Sequence, residues 1–226
     1  MRAHTWRNQL IEDILQEAYL TITISEVSLT ERIDLESKLN PFEAESDQSA
    51  STEETRPMKC SVHIRMRASQ GRDQEAQELS LSGAGVGVID ASFEALANYL
   101  ESEYPSLRSI QFKSFEMRGD VKDSSRSGAE APCCASLVIS NSDGLPFRFE
   151  SCDRSMISAS LQAVVRGIEH FVNAERAFIR IYKALEDAKS RSRQDLVERF
   201  TFQLSELVKT TSYTETIAQL RTQVNV

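Results

Sequence analysis

The first forty residues mix two hydrophobic patterns. Residues 20–24 alternate apolar and polar side chains with β-branched residues, which favours a strand, although periodicity alone leaves a helix open. Apolar residues recur at helical spacing before and after this stretch, at Leu10, Ile11, Ile14, Leu15 and Ala18 and again over residues 30–39 at Ile33, Leu35 and Leu39. We therefore predict a mostly helical segment over residues 1–40.

Residues 41–57 contain almost nothing that a core could bury. The segment has five acidic residues and one basic residue, Arg56, and most of the others are Ser, Thr or Pro. Such a segment cannot offset the entropy lost on ordering, so we predict an acidic flexible linker.

Residues 58–173 contain two successive runs of strands, each followed by a helix. In the first run, Lys59–Arg67 alternates strictly, a second strand passes through Leu79 and Leu81, and a helix begins near Val88. In the second, residues 109–117 alternate imperfectly, and residues 119–132 form a polar loop. A hairpin then turns at Asn141–Gly144, and Asp153 to Ser155 cap a long helix.

This order predicts an α+β fold in which two strand-strand-helix units form a pseudo-symmetric sandwich of sheet on helix. N-terminal and C-terminal helical extensions flank it. The C-terminal extension, residues 174–226, carries an apolar stripe with no evident partner in the small core, which predicts packing against another subunit or domain. The stripe consists of Leu196, Val197, Phe200, Leu204, Leu207 and Val208.

Composition narrows the function classes. A net charge of −8 and a pI near 5.1 argue against non-specific binding to nucleic acid. No apolar run reaches the ~18 residues of a membrane span, and Arg2, Arg7 and Glu12 interrupt any signal peptide. We predict a cytoplasmic protein whose four cysteines are reduced thiols.

Catalytic motifs are absent from the sequence. His4, His63 and His170 fall on different elements and lack metal-ligand spacing. No nucleophile elbow, phosphate-binding loop or kinase signature occurs, and Glu150 and Asp153 are better explained as a strand residue and a helix cap than as an acid pair. We predict that the chain is not an enzyme and uses no metal and no cofactor.

The glycine-rich segment Gly83–Gly87 is the one local feature that suggests ligand chemistry. Glycines immediately before a helix let the backbone approach a ligand, and the open amides of the helix start favour a carboxylate or a phosphate. Asp90 suits either a helix cap or a ligand amine. The spacing differs from the dinucleotide-binding fingerprint, and glycines also serve simply to turn a strand into a helix.

Two motifs in this order resemble the regulatory domain of the α-isopropylmalate synthase and citramalate synthase family. Residues 85–91 (Gly-Val-Gly-Val-Ile-Asp-Ala), followed by Phe93 and Ala95–Leu96, resemble that domain's GNGPxDA motif. Residues 153–165 (Asp-Arg-Ser-Met-Ile-Ser-Ala-Ser-Leu-Gln-Ala-Val-Val) resemble the start of its second helix. The chain departs from the family pattern at Val86, Val88 and Cys152, where the family usually has Asn, Pro and Gly.

In that family the regulatory domain follows a catalytic TIM barrel, and the resemblance implies a homodimer that binds a branched-chain amino acid such as leucine at its interface. We expect this chain to be such a module without the barrel and its metal-binding HxH motif. The resemblance places the ligand at Gly85, Gly87, Asp90, Ala91, Ser155, Ile157, Ala159 and Ser160. The chain would then regulate a synthase partner in branched-chain amino-acid biosynthesis. Two alternatives stay open: a structural dimer that has lost the ligand, and a non-catalytic synthase subunit.

Overall fold

The structure is a computed structural model that describes residues 2–32, 59–70, 77–119 and 132–210. This part of the chain is α+β, with two three-stranded antiparallel sheets and four α-helices. In chain order the elements are α1 (Arg2–Leu15), β1 (Leu20–Arg32), β2 (Lys59–Gln70), β3 (Gln77–Gly85), α2 (Val88–Leu100), β4 (Gln111–Gly119), β5 (Cys133–Ser140), β6 (Pro146–Asp153), α3 (Met156–Ser190) and α4 (Gln194–Leu207). Short 3₁₀ turns at Gln16–Ala18 and Pro105–Ser109 precede β1 and β4.

The first sheet has the order β1-β2-β3, so its outer strand comes from the segment that the sequence analysis set apart as helical. Strand β1 continues through Thr30 to Arg32, and the predicted helix is therefore wrong at these residues. In short apolar runs the spacing of residues does not distinguish a helix from a strand. Here the pairing of residues 30–32 with β2 favours the strand. The predicted linker at 41–57 and residues 120–131 of the predicted polar loop lie outside the described residues.

Each sheet contains one bulge that changes which side chains face the core. In β1 the register shifts between Ile24 and Glu26, and in β4 it shifts between Phe112 and Ser114. One extra residue in a strand exchanges the two faces beyond it. The bulge in β4 explains why residues 109–117 alternate imperfectly in the sequence.

The main core lies between the inner faces of the sheets and helices α2 and α3. Strand β2 buries Cys60, Val62, Ile64 and Met66 in strict alternation, as predicted. The predicted hairpin between β5 and β6 is also confirmed. Its turn is held by the Asn141 side chain, which accepts hydrogen bonds from Asp143 N (3.1 Å) and Leu145 N (2.9 Å), and Gly144 adopts a φ of +76°.

Two side chains of helix α3 form hydrogen bonds with the main chain at the outer edge of β1. Asn173, fully buried, accepts from Leu20 N (2.8 Å) and donates to Leu20 O (2.9 Å). Glu169 accepts from Ile22 N (2.6 Å). These hydrogen bonds satisfy main-chain N–H and C=O groups at the open edge of the sheet, where no further strand pairs with β1 among the described residues.

The C-terminal apolar stripe has a partner within the same chain. Helix α3 continues unbroken past residue 173, and its second half packs with α1 and α4 in a second cluster built around Ile11, Phe178 and Leu207. Phe200, Leu204 and Val208 are partly buried against this cluster. Four residues of the stripe, Phe200, Leu204, Leu207 and Val208, therefore pack within the chain, and packing of the stripe against another subunit or domain stays a prediction.

The cysteines differ from the prediction of four reduced thiols. Cys134 on β5 lies directly opposite Cys152 on β6, and the two form a disulfide. Cys60 and Cys133 are free and buried. The pairing depends on the strand register, which spacing along the sequence does not reveal. Within the described ranges, no helix is both long and apolar enough to cross a membrane.

Candidate functional site

A cavity of about 920 Å³ lies where the first turns of α2 and α3 meet the last part of β1 and strand β4. Its volume is near the upper end of the ~300–1,000 Å³ typical of small-molecule sites. Most of its lining is apolar, and the full set is Leu29, Glu31, Gly87, Val88, Ile89, Asp90, Phe112, Phe115, Met117, Ser155, Met156, Ile157 and Ser160.

The start of α2 is built on a close approach between Gly85 and the first helical turn. A Cβ at Gly85 would lie 2.5 Å from Asp90 Oδ2 and 2.6 Å from Ala91 N. Asp90 Oδ2 in turn accepts a hydrogen bond from Val86 N (3.0 Å). Gly85 is thus required for the backbone geometry that presents the helix start to the cavity.

Gly87 differs from Gly85 because it lines the cavity itself. It is the N-cap of α2, with an extended backbone (φ −156°, ψ 179°) that any residue can adopt, and it supplies no side-chain cap. A Cβ added there would meet no heavy atom within 4 Å. The first-turn amides of α2 therefore begin at a bare cap beside the cavity, an arrangement that favours an anionic group.

The start of α3 is held by a compact polar network. Ser155 is the N-cap and accepts from Ser158 N (3.3 Å). Asp153 accepts from Ser155 N (3.0 Å), Ser158 Oγ (2.8 Å) and Gln162 Nε2 (3.1 Å). The hydrogen bond from Ser155 N, followed by that from the Ser158 hydroxyl, holds the pKa of the Asp153 carboxyl below its usual range. This network fixes the cavity wall that carries Ser155 and Ile157.

Five of the residues expected to bind a ligand border this one cavity, although they come from segments far apart in sequence: Gly87, Asp90, Ser155, Ile157 and Ser160. Gly85 does not line the cavity. Ala91 and Ala159 are fully buried. These three residues support the two helix starts and do not face the cavity.

The opposite wall of the cavity comes from β1 and β4 and was not predicted from the sequence. The bulge at Lys113 places Phe112, Phe115 and Met117 on one face, paired with Ile139, Leu137 and Ala135 of β5. The bulge in β1 similarly turns Leu29 and Glu31 toward the inner face. The irregular alternation of residues 109–117 indicated a disturbed strand, but it did not show that these residues line a cavity. Met156, at the start of α3, completes the missed residues.

The cavity lining contains the two acids Glu31 and Asp90, no basic residue and no histidine or cysteine. Across the described residues, no group of three or more His, Cys, Asp or Glu side chains is placed to hold a metal ion.

Apolar side chains are also exposed around the mouth of the cavity. Phe115, Met156 and Ile157 line it and are 37%, 59% and 41% exposed, and Val86 beside Gly87 is 58% exposed. Large apolar side chains grouped in this way are typical of a surface that another molecule covers.

No protein-family model matches the chain, and no curated protein matches it either. The family resemblance therefore rests on the motifs at residues 85–96 and 153–165, both of which contribute residues to the cavity.

Proposed function

We propose that this chain is a non-catalytic regulatory module that binds an apolar amino acid, leucine-like in character, in the cavity between the starts of α2 and α3. The observation that carries the proposal is the meeting of two distant motifs at one apolar cavity of about 920 Å³. The α-carboxylate would lie at the bare start of α2, and the aliphatic side chain would pack against Phe112 and Met117. Burying such a side chain contributes about 1.5–3 kcal/mol.

We infer that the module acts as a homodimer whose partner copy covers the mouth of the cavity. The exposed apolar residues Val86, Phe115, Met156 and Ile157 support this arrangement, because one amino acid is too small to cover them. By the same resemblance, the two strand-and-helix runs are pseudo-symmetric halves: β1–β3 precede α2, β4–β6 precede α3, and each helix start borders the cavity. A synthase of branched-chain amino-acid biosynthesis would be the regulated partner.

The decisive variant is Gly87→Val, measured by calorimetric titration with leucine. Valine tolerates the extended backbone at residue 87, so the free energy of unfolding should change by no more than about 1 kcal/mol. The new side chain should enter the ligand space and weaken leucine binding at least tenfold. Gly119→Val is the matched control, because a Cβ there also meets nothing within 4 Å and Gly119 does not line the cavity.

Equal leucine affinity in wild type and Gly87→Val would remove the cavity from the ligand site. A complete lack of amino-acid binding by the wild type would favour the second candidate, a structural dimer without ligand. The exposed apolar rim supports that candidate, because a second copy could cover it whether or not the cavity is filled.

A further inference from the structure

The inner face of β1 is apolar along its length except at its far end. Leu20, Ile22 and Ile24 before the bulge, and Val27 and Leu29 after it, pack on or against the main core. Glu31 is the next residue on this face, because side chains two apart along a strand point the same way. A carboxylate at this position has no role in the core and borders the cavity.

The register of the first sheet supports this placement of Glu31. Its direct partner on β2 is Cys60, and directly opposite residues in an antiparallel pair carry their side chains on the same face. Cys60 is 1% exposed and belongs to the core. The Glu31 carboxylate is also near enough to add to the effect of burial in raising the pKa of the Cys60 thiol.

None of the side chains that the structure describes makes an ion pair or hydrogen bond with the Glu31 carboxylate, and no basic residue is among the described residues that line the cavity. The second acid of the lining, Asp90, is already engaged with Val86 N. Glu31 is thus the acid of the lining whose carboxylate oxygens accept no hydrogen bond from a described group, and it is available to a positively charged group inside the cavity.

We propose that Glu31 binds the ammonium group of the ligand, so that the cavity selects an amino acid over the 2-oxo acid or carboxylic acid with the same side chain. The inference rests on the proposed function and names the residue that sets its specificity. The first-turn amides of α2, which have no side-chain cap, would bind the carboxylate of the ligand. A site with both Glu31 and these amides attracts both charges of a zwitterion. A 2-oxo acid lacks the ammonium group, so the repulsion between its carboxylate and Glu31 is not offset, which opposes its binding.

The test compares leucine with 4-methyl-2-oxopentanoate and 4-methylpentanoate, which share its aliphatic group, by calorimetric titration of the full chain. The wild type should bind leucine about 10–100-fold more tightly than either acid. Glu31→Gln should abolish this preference, mainly by weakening leucine binding. Glu26→Gln is the matched control on the same strand, because Glu26 pairs with Arg65 (2.6 Å) and does not line the cavity.

An unchanged preference for leucine in Glu31→Gln would overturn the role of Glu31 while leaving the proposed function intact. Equal affinity of the wild type for all three compounds would do the same. Failure of the wild type to bind any of them would overturn the proposed function, and the inference with it. Because Glu31 is exposed at a strand end, the Gln variant should keep the wild-type circular dichroism spectrum.

Discussion

Single residues in this protein illustrate how one residue type serves different purposes. Gly85 is required by contact, since a side chain there would collide with Asp90 and Ala91. Gly87, two residues later, has open space and an ordinary extended backbone. The glycine-rich segment was correctly identified from the sequence as the approach to a helix start. Which glycine borders the cavity depends on the packing of α2, which the local sequence does not contain.

Glu169 makes the stability of the fold depend on pH. Burial raises the pKa of its carboxyl from 4.5 to about 7, although the hydrogen bond from Ile22 N and the charge of Arg166 oppose this. Because the folded state holds the proton more tightly than the unfolded state, this residue lowers stability as the pH rises from about 4.5 to about 7.

We expect the Glu169→Gln variant to lack this loss, since glutamine has no charge to bury and its amide oxygen can still accept from Ile22 N. Relative to wild type, its free energy of unfolding should rise by about 3 kcal/mol between pH 4.5 and pH 7.5. Urea unfolding at the two pH values measures the difference. Parallel pH profiles for the two proteins would show that Glu169 titrates normally in the fold.

The strands and helices were predictable to different extents. The strict alternation of β2, the Asn141–Gly144 turn and the apolar face of α3 are strong local signals, and each element lies where the pattern predicted it. The bulges in β1 and β4 break the alternation, so the cavity wall they form could not be assigned from periodicity. Thr30 to Arg32 were predicted as helix from the local spacing of apolar residues. Their pairing with β2 is a non-local interaction that this spacing does not reveal.

The disulfide between β5 and β6 should contribute to stability by restraining the unfolded chain. Its cysteines are 18 residues apart, and closing a loop of about this length is worth about 3 kcal/mol. The double variant Cys134→Ser, Cys152→Ser should lose approximately this free energy of unfolding. In denatured, unreduced wild type, a thiol-labelling reagent followed by mass spectrometry should modify only Cys60 and Cys133. Labelling of all four cysteines would contradict the pairing.

At the scale of the whole molecule, α3 joins two separately packed regions. Its first half packs on the main core and its start borders the cavity, whereas its second half packs with α1 and α4. A ligand in the cavity would therefore contact the same continuous helix that packs with α1 and α4.

Thermal unfolding of the full chain with and without millimolar leucine, isoleucine and valine tests whether the cavity between the starts of α2 and α3 binds an apolar amino acid. A ligand that binds only the folded state adds about 2.7 kcal/mol of stability at a hundredfold excess over its dissociation constant. We expect a rise of several degrees in Tm with at least one of the three amino acids, and a smaller rise in Gly87→Val. An unchanged Tm with all three would contradict this expectation.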